Sequence, residues 1–126
     1  MSREILFKAK TCSGKWAEGL LAHKDDKWYI SNKAGMPFAF EVRPETICQY
    51  TGLTDKNDNK IWENDIVKDS DGDIGIIKYG IDGRASFHVY YEKKKDYILL
   101  GENNVEMLKI EVIGNIFDNP KVWKGE

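Results

Sequence analysis

Polar clusters of turn-forming residues break this chain at short intervals, and the apolar residues between them alternate with a period of two. That period marks half-buried strands, and the intervals are those of hairpins. Phe38, Phe40 and Val42 alternate with Ala39, Glu41 and Arg43, and Ile5, Phe7 and Ala9 with Glu4, Leu6 and Lys8. Ala85, Phe87, Val89 and Tyr91 form one strand face, which places Ser86, His88 and Tyr90 on the outward one. Trp28 and Ile30 share a face. Residues 16–22 also fit a helical stripe through Trp16, Leu20 and His23, but Gly19 lowers helix propensity and a strand is the better reading. Turns are expected at Ser13-Gly14, Asp25-Asp26, residues 32–37, 69–73, 80–83, 92–96 and 102–104, with Leu108, Ile110 and Val112 in a last strand. The pattern predicts a mainly β fold of antiparallel strands, a sandwich or small barrel. A chain of 126 residues is one compact domain, with possible lobes at 1–48 and 49–126.

Residues 49–68, QYTGLTDKNDNKIWENDIVK, are the densest part of the pattern. Gly52 permits a backbone reversal after Thr51. Asp55, Asn57, Asp58 and Asn59 are turn residues, because short Asx side chains bond their own backbone and tolerate left-handed conformations. Ile61-Trp62 gives an apolar anchor, Glu63-Asn64-Asp65 a second tight bend, and Ile66-Val67 starts a β-branched strand. Such a loop is held by its own side chains and sets the register of the strands it joins. That structural role is the expectation for most of its residues.

The same stretch resembles the signature of the YopX family of phage and prophage proteins, Q-Y-T-G-L-x-D-x-N-G-x-x-I-Y-E-G-D-I-V. The match falls on Gln49, Tyr50, Thr51, Gly52, Leu53, Asp55, Asn57, Ile61, Glu63, Asp65, Ile66 and Val67. Trp62 stands where the family has tyrosine, and Asp58 and Asn64 where it has glycine. Asn and Asp are the non-glycine residues that best tolerate positive φ, so both bends remain possible. Val42-Arg43-Pro44-Glu45-Thr46 is similar to the family's V-x-P-E-T lead into this block, and VIGNIFDNP at residues 112–120 to its closing V-I-G-N-I-Y-x-N-P. The resemblance implies a phage or prophage setting in a bacterial host and supplies no activity. The C-terminal half, a D-I-V strand followed by a hairpin, also resembles an SH3-like small barrel, packed with an N-terminal β lobe.

Composition narrows the function classes. The chain is 41% hydrophobic and 12% aromatic, which is globular, and its net charge of −2 argues against tight nonspecific binding of nucleic acid. No apolar run approaches the roughly 20 residues of a membrane span, and MSREILFKAK has no signal-peptide core, so a cytoplasmic protein without membrane contact is expected. Cys12 and Cys48 stand in unlike contexts and read as reduced thiols, Cys48 as a small buried hydrophobe.

Candidate chemistry is sparse. Asp69, Asp71 and Asp73 have the alternation of a calcium loop, but Ile74 and Gly80 occupy the positions that an EF-hand fills with Gly and Glu. His23 and His88 are far apart in sequence, no Cys or His pair has zinc spacing, and no phosphate loop is present. No metal and no cofactor are expected, and no catalytic set is assigned. Glu63 and Asp65, two apart, would point the same way in an extended chain and are the lesser, enzymatic alternative. Tyr90, Tyr91, Lys93, Lys94, Lys95 and Tyr97 interleave aromatics with cations and are the candidate contact for nucleic acid or a protein partner, although lysines at a hairpin tip also protect a sheet edge. The reading is a non-catalytic binding or self-assembling module, its partner a second copy or a phage or host protein. Weak nucleic-acid binding is the alternative.

Overall fold

The computed structural model describes residues 5–31 and 39–123. The loop expected at 32–37, Phe38 and Glu4 lie outside them. The described chain is mostly antiparallel strand, as the two-residue period requires, and divides into two compact units, Met1–Tyr50 and Thr51–Glu126.

The first unit is a run of hairpins: β1 (Phe7–Lys10), β2 (Trp16–Lys24), β3 (Lys27–Ser31) and β4 (Ala39–Val42). A 3₁₀ turn at Pro44–Thr46 leads to β5 (Cys48–Thr54), which lies on the free side of β1, giving the order β4-β3-β2-β1-β5. Asp25 and Asp26 both adopt left-handed φ in the β2–β3 turn, as Asx residues can. Residues 16–22 are strand, not helix. The end of β4 returns to the end of β1 through a Thr11–Val42 bridge and an Arg43 N–H bond to the Lys10 carbonyl at 2.8 Å. Thr46 holds that corner: its buried Oγ1 accepts the Lys10 N–H and donates to the Arg43 carbonyl. Ala9, Ile30 and Val42 are the buried core, with Phe7, Ala17, Leu21, Trp28 and Ile47 packed on it.

The chain enters the second unit inside β5. Gly52 has φ +89, yet β5 runs through it, so the reversal expected there is absent; the strand turns back only at residues 55–59. β6 (Lys60–Trp62) and β7 (Asp65–Lys68) flank the Asn64 bend. β8 (Ile74–Ile81), β9 (Arg84–Tyr91) and β10 (Asp96–Leu99) continue a meander from β7. Helix α1 (Glu102–Leu108) precedes β11 (Glu111–Asn115), and a single turn, α2 (Pro120–Trp123), ends the described chain. β11 returns beside β7, so the sheet order is β10-β9-β8-β7-β11. Its core is Ile61, Val67, Ile77, Phe87, Val89, Tyr91, Val105 and Ile110.

Two sequence expectations fail here. Residues 102–104 start a helix, not a turn, and Leu108 belongs to it, leaving the last strand to begin at Glu111. Gly101, Asn103 and Asn104 read as turn residues locally, but Val105 and Leu108, three apart, pack the helix onto the core. His88, expected on a solvent face, is buried between Phe87 and Val89, which are also buried. On its own face His88 is flanked by its cross-strand partners Lys78 and Leu99 and by the Tyr97 ring, 5.6 Å away, so alternation here does not separate core from water.

Candidate functional site

The signature residues act on their own backbone. Asp55 is buried, and its Oδ1 accepts the N–H groups of Asn57 and Asn59, both at 2.9 Å, closing the β5–β6 loop. Its Oδ2 accepts the Val112 N–H at 2.9 Å and so ties that loop to β11, 57 residues away. Burial pushes the Asp55 carboxyl up, but the three N–H groups and the Asn59 side chain outweigh it and leave the pKa below the usual carboxylate value. Thr51 Oγ1 donates to the Ile61 carbonyl and accepts from Leu53 N–H, pinning β5 against β6. Trp62 is 5% exposed, and its N–H is held by Asp65 Oδ2 at 2.8 Å, with Asp65 itself 2% exposed. Asp58 and Asn64 take φ +64 and +71, the left-handed backbone that glycine would otherwise supply. Glu63 and Asp65 straddle that Asn64 turn, so the extended pairing considered for acid–base work is not formed, and Asp65 is a backbone cap. Gln49, Tyr50, Gly52 and Leu53 lie along β5, Tyr50 buried and its N–H on the Leu6 carbonyl, and Asn57 is exposed and reaches Glu111.

The closing block completes the same device. Asn64 donates its N–H to the Ile77 carbonyl and accepts from Ile116 N–H, joining the bend to the segment after β11. Asn115 Oδ1 caps the N–H groups of Phe117 and Asp118, and Asn119 Oδ1 returns to Asn115 N–H. A Cβ on Gly114 would stand 2.5 Å from Asn119 Oδ1, so the close approach requires glycine. All three sequence blocks are parts of the frame that joins strand to strand. A family model described as YopX protein matches residues 5–124. The chain belongs to the YopX family. No curated protein matches it.

A second aspartate in this YopX-family chain, not singled out as an anchor by the sequence, works as Asp55 does. Asp69 is buried and accepts the N–H groups of Asp71 and Asp73 on Oδ1 and the Tyr91 hydroxyl on Oδ2 at 3.1 Å. The signal was present as a D-x-x-x-[D/N] spacing shared by Asp55–Asn59 and Asp69–Asp73. One ligand atom each from Asp69, Asp71 and Asp73 lies within 4.8 Å of the others, but Asp73 is bridged by Lys94 Nζ at 2.7 Å.

The lysine-rich hairpin tip is correspondingly occupied. Lys94 also lies 5.1 Å from the Tyr91 ring, and Lys95 pairs with Glu92 at 3.5 Å. Tyr91 is 3% exposed, inside the core, with its pKa driven far up by burial and by Asp69. It is not available for stacking. Tyr90 and Tyr97 are half-buried, Tyr97 reaching Asp82 at 3.4 Å, and Lys93 is exposed. His88 Nδ1 has no hydrogen-bond partner among the described residues; burial and the neighbouring Lys78 lower its pKa against a smaller opposing effect of the Ser86 backbone.

Grooves open in each unit among the described residues. In the second unit, one of about 430 Å³ runs between Leu53, Thr54, Asp55 and Lys56 on one wall and Glu102, Glu106 and Lys109 on the other, so both signs of charge line it. In the first unit, one of about 420 Å³ lies at the β1–β2 hairpin and is lined by Cys12, Lys15, Trp16, Ala17, Phe40 and Glu41. Cys12 is an exposed free thiol and Cys48 a buried one. No helix among the described residues is long and apolar enough to cross a membrane.

Proposed function

We propose that this YopX-family protein is a phage- or prophage-encoded accessory protein that acts in the bacterial cytoplasm by binding, as a partner of a host or phage protein or of itself. The observation that carries the reading is the assignment of acids: Asp55, Asp65 and Asp69 each hold backbone N–H groups, which leaves the signature as scaffold and the working surface elsewhere. Asp55, whose three N–H partners favour its charged form, is a poor proton shuttle. The second unit, a meander from β7 to β10 with β11 beside β7, supports the comparison with SH3-like barrels, a fold that hosts many functions and so leaves the role to the surface. Light scattering over a wide concentration range, combined with capture from host extract, tests the reading. Self-association or a retained partner is expected; a strict monomer that retains nothing would overturn it. Nucleic-acid binding through the Tyr90–Tyr97 hairpin is disfavoured by the pairing of Lys94 and Lys95 and the burial of Tyr91.

A further inference from the structure

The second sheet ends at β10 on one side and at β11 on the other. The chain itself closes the β11 side: Asp55 Oδ2 takes the Val112 N–H, and the Ile110 carbonyl just before β11 accepts from the Lys56 N–H. The β10 side is closed differently. The Leu100 N–H bonds the Phe87 carbonyl, and the β9–β10 register puts that bond in step with the pairs Ile98–Val89 and Asp96–Tyr91. Bonded and non-bonded pairs alternate along an antiparallel ladder. Asp96 and Ile98 therefore turn their backbone groups inward to β9, and Tyr97 and Leu99 turn theirs out to the free edge. Two of those four outward groups are already taken. Asp96 Oδ1 accepts the Tyr97 N–H at 2.8 Å, and Asn104 Nδ2, from α1, donates to the Leu99 carbonyl at 2.7 Å. The Tyr97 carbonyl and the Leu99 N–H are left over among the described residues. Tyr97, Ile98 and Leu99 are only half-buried, so the edge carries apolar surface as well as free backbone.

We propose that β10 is a self-association edge: a second copy lays its own β10 antiparallel beside it, about a two-fold axis at Ile98, and Asp96 and Asn104 hold the edge partly shut. The proposal rests on the binding-module reading above and gives it a partner and a place. The two leftover groups are one acceptor and one donor, and the two-fold axis makes them partners: each copy's Leu99 N–H meets the other's Tyr97 carbonyl. The same axis sets each copy's Tyr97 N–H against the other's Leu99 carbonyl. The two capping side chains thus stand at opposite ends of one bond between the copies. They must swing aside for the strands to close, which weakens the pairing without forbidding it. A groove of about 480 Å³ lies where the other strand would run, beside Leu99, Gly101, Glu102 and Asn103. Charge agrees with the antiparallel direction. Lys93 and Lys95, both exposed, precede β10 and exposed Glu102 follows it, so the cationic end of each strand lies towards the acidic end of the other. A segment of an unrelated protein need not carry that polarity, whereas a second copy always does.

Sedimentation velocity over a wide concentration range, with amide exchange followed residue by residue by NMR, tests the proposal on the full chain. Asp96→Ala and Asn104→Ala should each tighten the dimer about 5- to 30-fold, because each dimer must release two such caps. In the chain carrying both changes, the Leu99 amide should exchange more slowly as concentration rises. Leu99→Pro removes an outward N–H and no ladder bond to β9, so in that chain it should restore the monomer. Glu102→Lys, an exposed change that keeps the test valid if the proline variant fails to fold, should weaken the same dimer, most at low salt. A doubly altered chain that associates no more tightly than the unaltered one would overturn the edge. So would a Leu99 amide indifferent to concentration, or a dimer that keeps its full strength with Leu99→Pro and with Glu102→Lys. If in those cases the unaltered chain still self-associates or retains a captured protein, β10 falls and the binding-module reading stands.

Discussion

Residues 55–59 and 69–73 close two hairpins with the same hydrogen bonds. In each, the first aspartate N–H meets the carbonyl of the fifth residue, the fourth residue's N–H returns to the aspartate carbonyl, and Oδ1 takes the third and fifth N–H groups. In each, the second residue's N–H reaches back to the end of α1: Lys56 to the Ile110 carbonyl and Ser70 to the Leu108 carbonyl. The loops thus grip the helix terminus from two sides of Lys109, which adopts the left-handed conformation that ends the helix. They differ in one atom's partner. Asp55 Oδ2 binds the Val112 backbone, whereas Asp69 Oδ2 binds the Tyr91 side chain. The Asp55 loop is thereby a link between chain segments, and the Asp69 loop a link between a loop and the core.

Removing each carboxylate breaks the comparison most directly. Asp55→Ala leaves three N–H groups without the carboxylate, two of them in the loop and one on β11, and should cost about 3–4 kcal/mol at about 1 kcal/mol net for each hydrogen bond. Asp69→Ala should cost less, about 2–3 kcal/mol, because the Tyr91 hydroxyl is a single side-chain donor and can turn, while the Val112 N–H cannot. Urea unfolding measures both. Equal losses would show that the Oδ2 partner is irrelevant and that only the shared loop matters.

This symmetry was half legible in the sequence. Short Asx residues in a run announce a turn, and the family resemblance located the first loop; Asp58 and Asn64 stand where the family has glycine, Asx chemistry left the left-handed backbone open to them, and both adopt it. Asp69 was read as one acid of a turn, because nothing local shows that its side chain turns inward to Tyr91, 22 residues away. The same blindness to distant partners hid His88, whose face is shared with Lys78, Leu99 and the Tyr97 ring on the neighbouring strands. Helix α1 was missed for a related reason: its hold on Val105 and Leu108 is tertiary, and seven residues carry too little intrinsic propensity to declare it. In the groove at Phe40, alternation correctly assigned the face, but only the sheet's open end shows that the face is uncovered.

Titration should separate the two links by the side on which they fail. The folded-state pKa of Asp55 lies below its ordinary 3.8, so its contribution is present above that value and is lost as pH falls through the folded one. The pKa of Tyr91 is raised above its ordinary 10.0, so its contribution is present below that value and is lost as pH rises towards the folded one. Tyr91→Phe should cost about 1–2 kcal/mol at neutral pH by leaving Asp69 Oδ2 without its donor, and should flatten the alkaline limb while sparing the acid one. His88 adds a distinct feature: its lowered pKa makes stability fall as pH drops below about 6.5, and His88→Gln should remove that component. An alkaline limb unchanged by Tyr91→Phe would refute the assignment of the Asp69 link to the core.

The smallest effect comes from the fourth position of each loop, where Asp58 has φ +64 and Gly72 has φ +84. If the loops are equivalent, Asp58→Gly should stabilise by about 0.5 kcal/mol, because glycine enters the left-handed region without penalty. Gly72→Asn should cost a similar 0.5–1 kcal/mol, since nothing lies within 4 Å of where its Cβ would stand and only the backbone objects. Gly72→Asp adds a fourth carboxylate beside Asp69, Asp71 and Asp73, so its excess over Gly72→Asn measures repulsion alone. That excess should shrink as salt is raised, because the loop is exposed at residues 70–72. In urea titrations at constant m, a salt-independent excess would mean that the acids are not held together in the folded loop, and that Lys94 joins the loop to the β9–β10 turn through Asp73 only weakly.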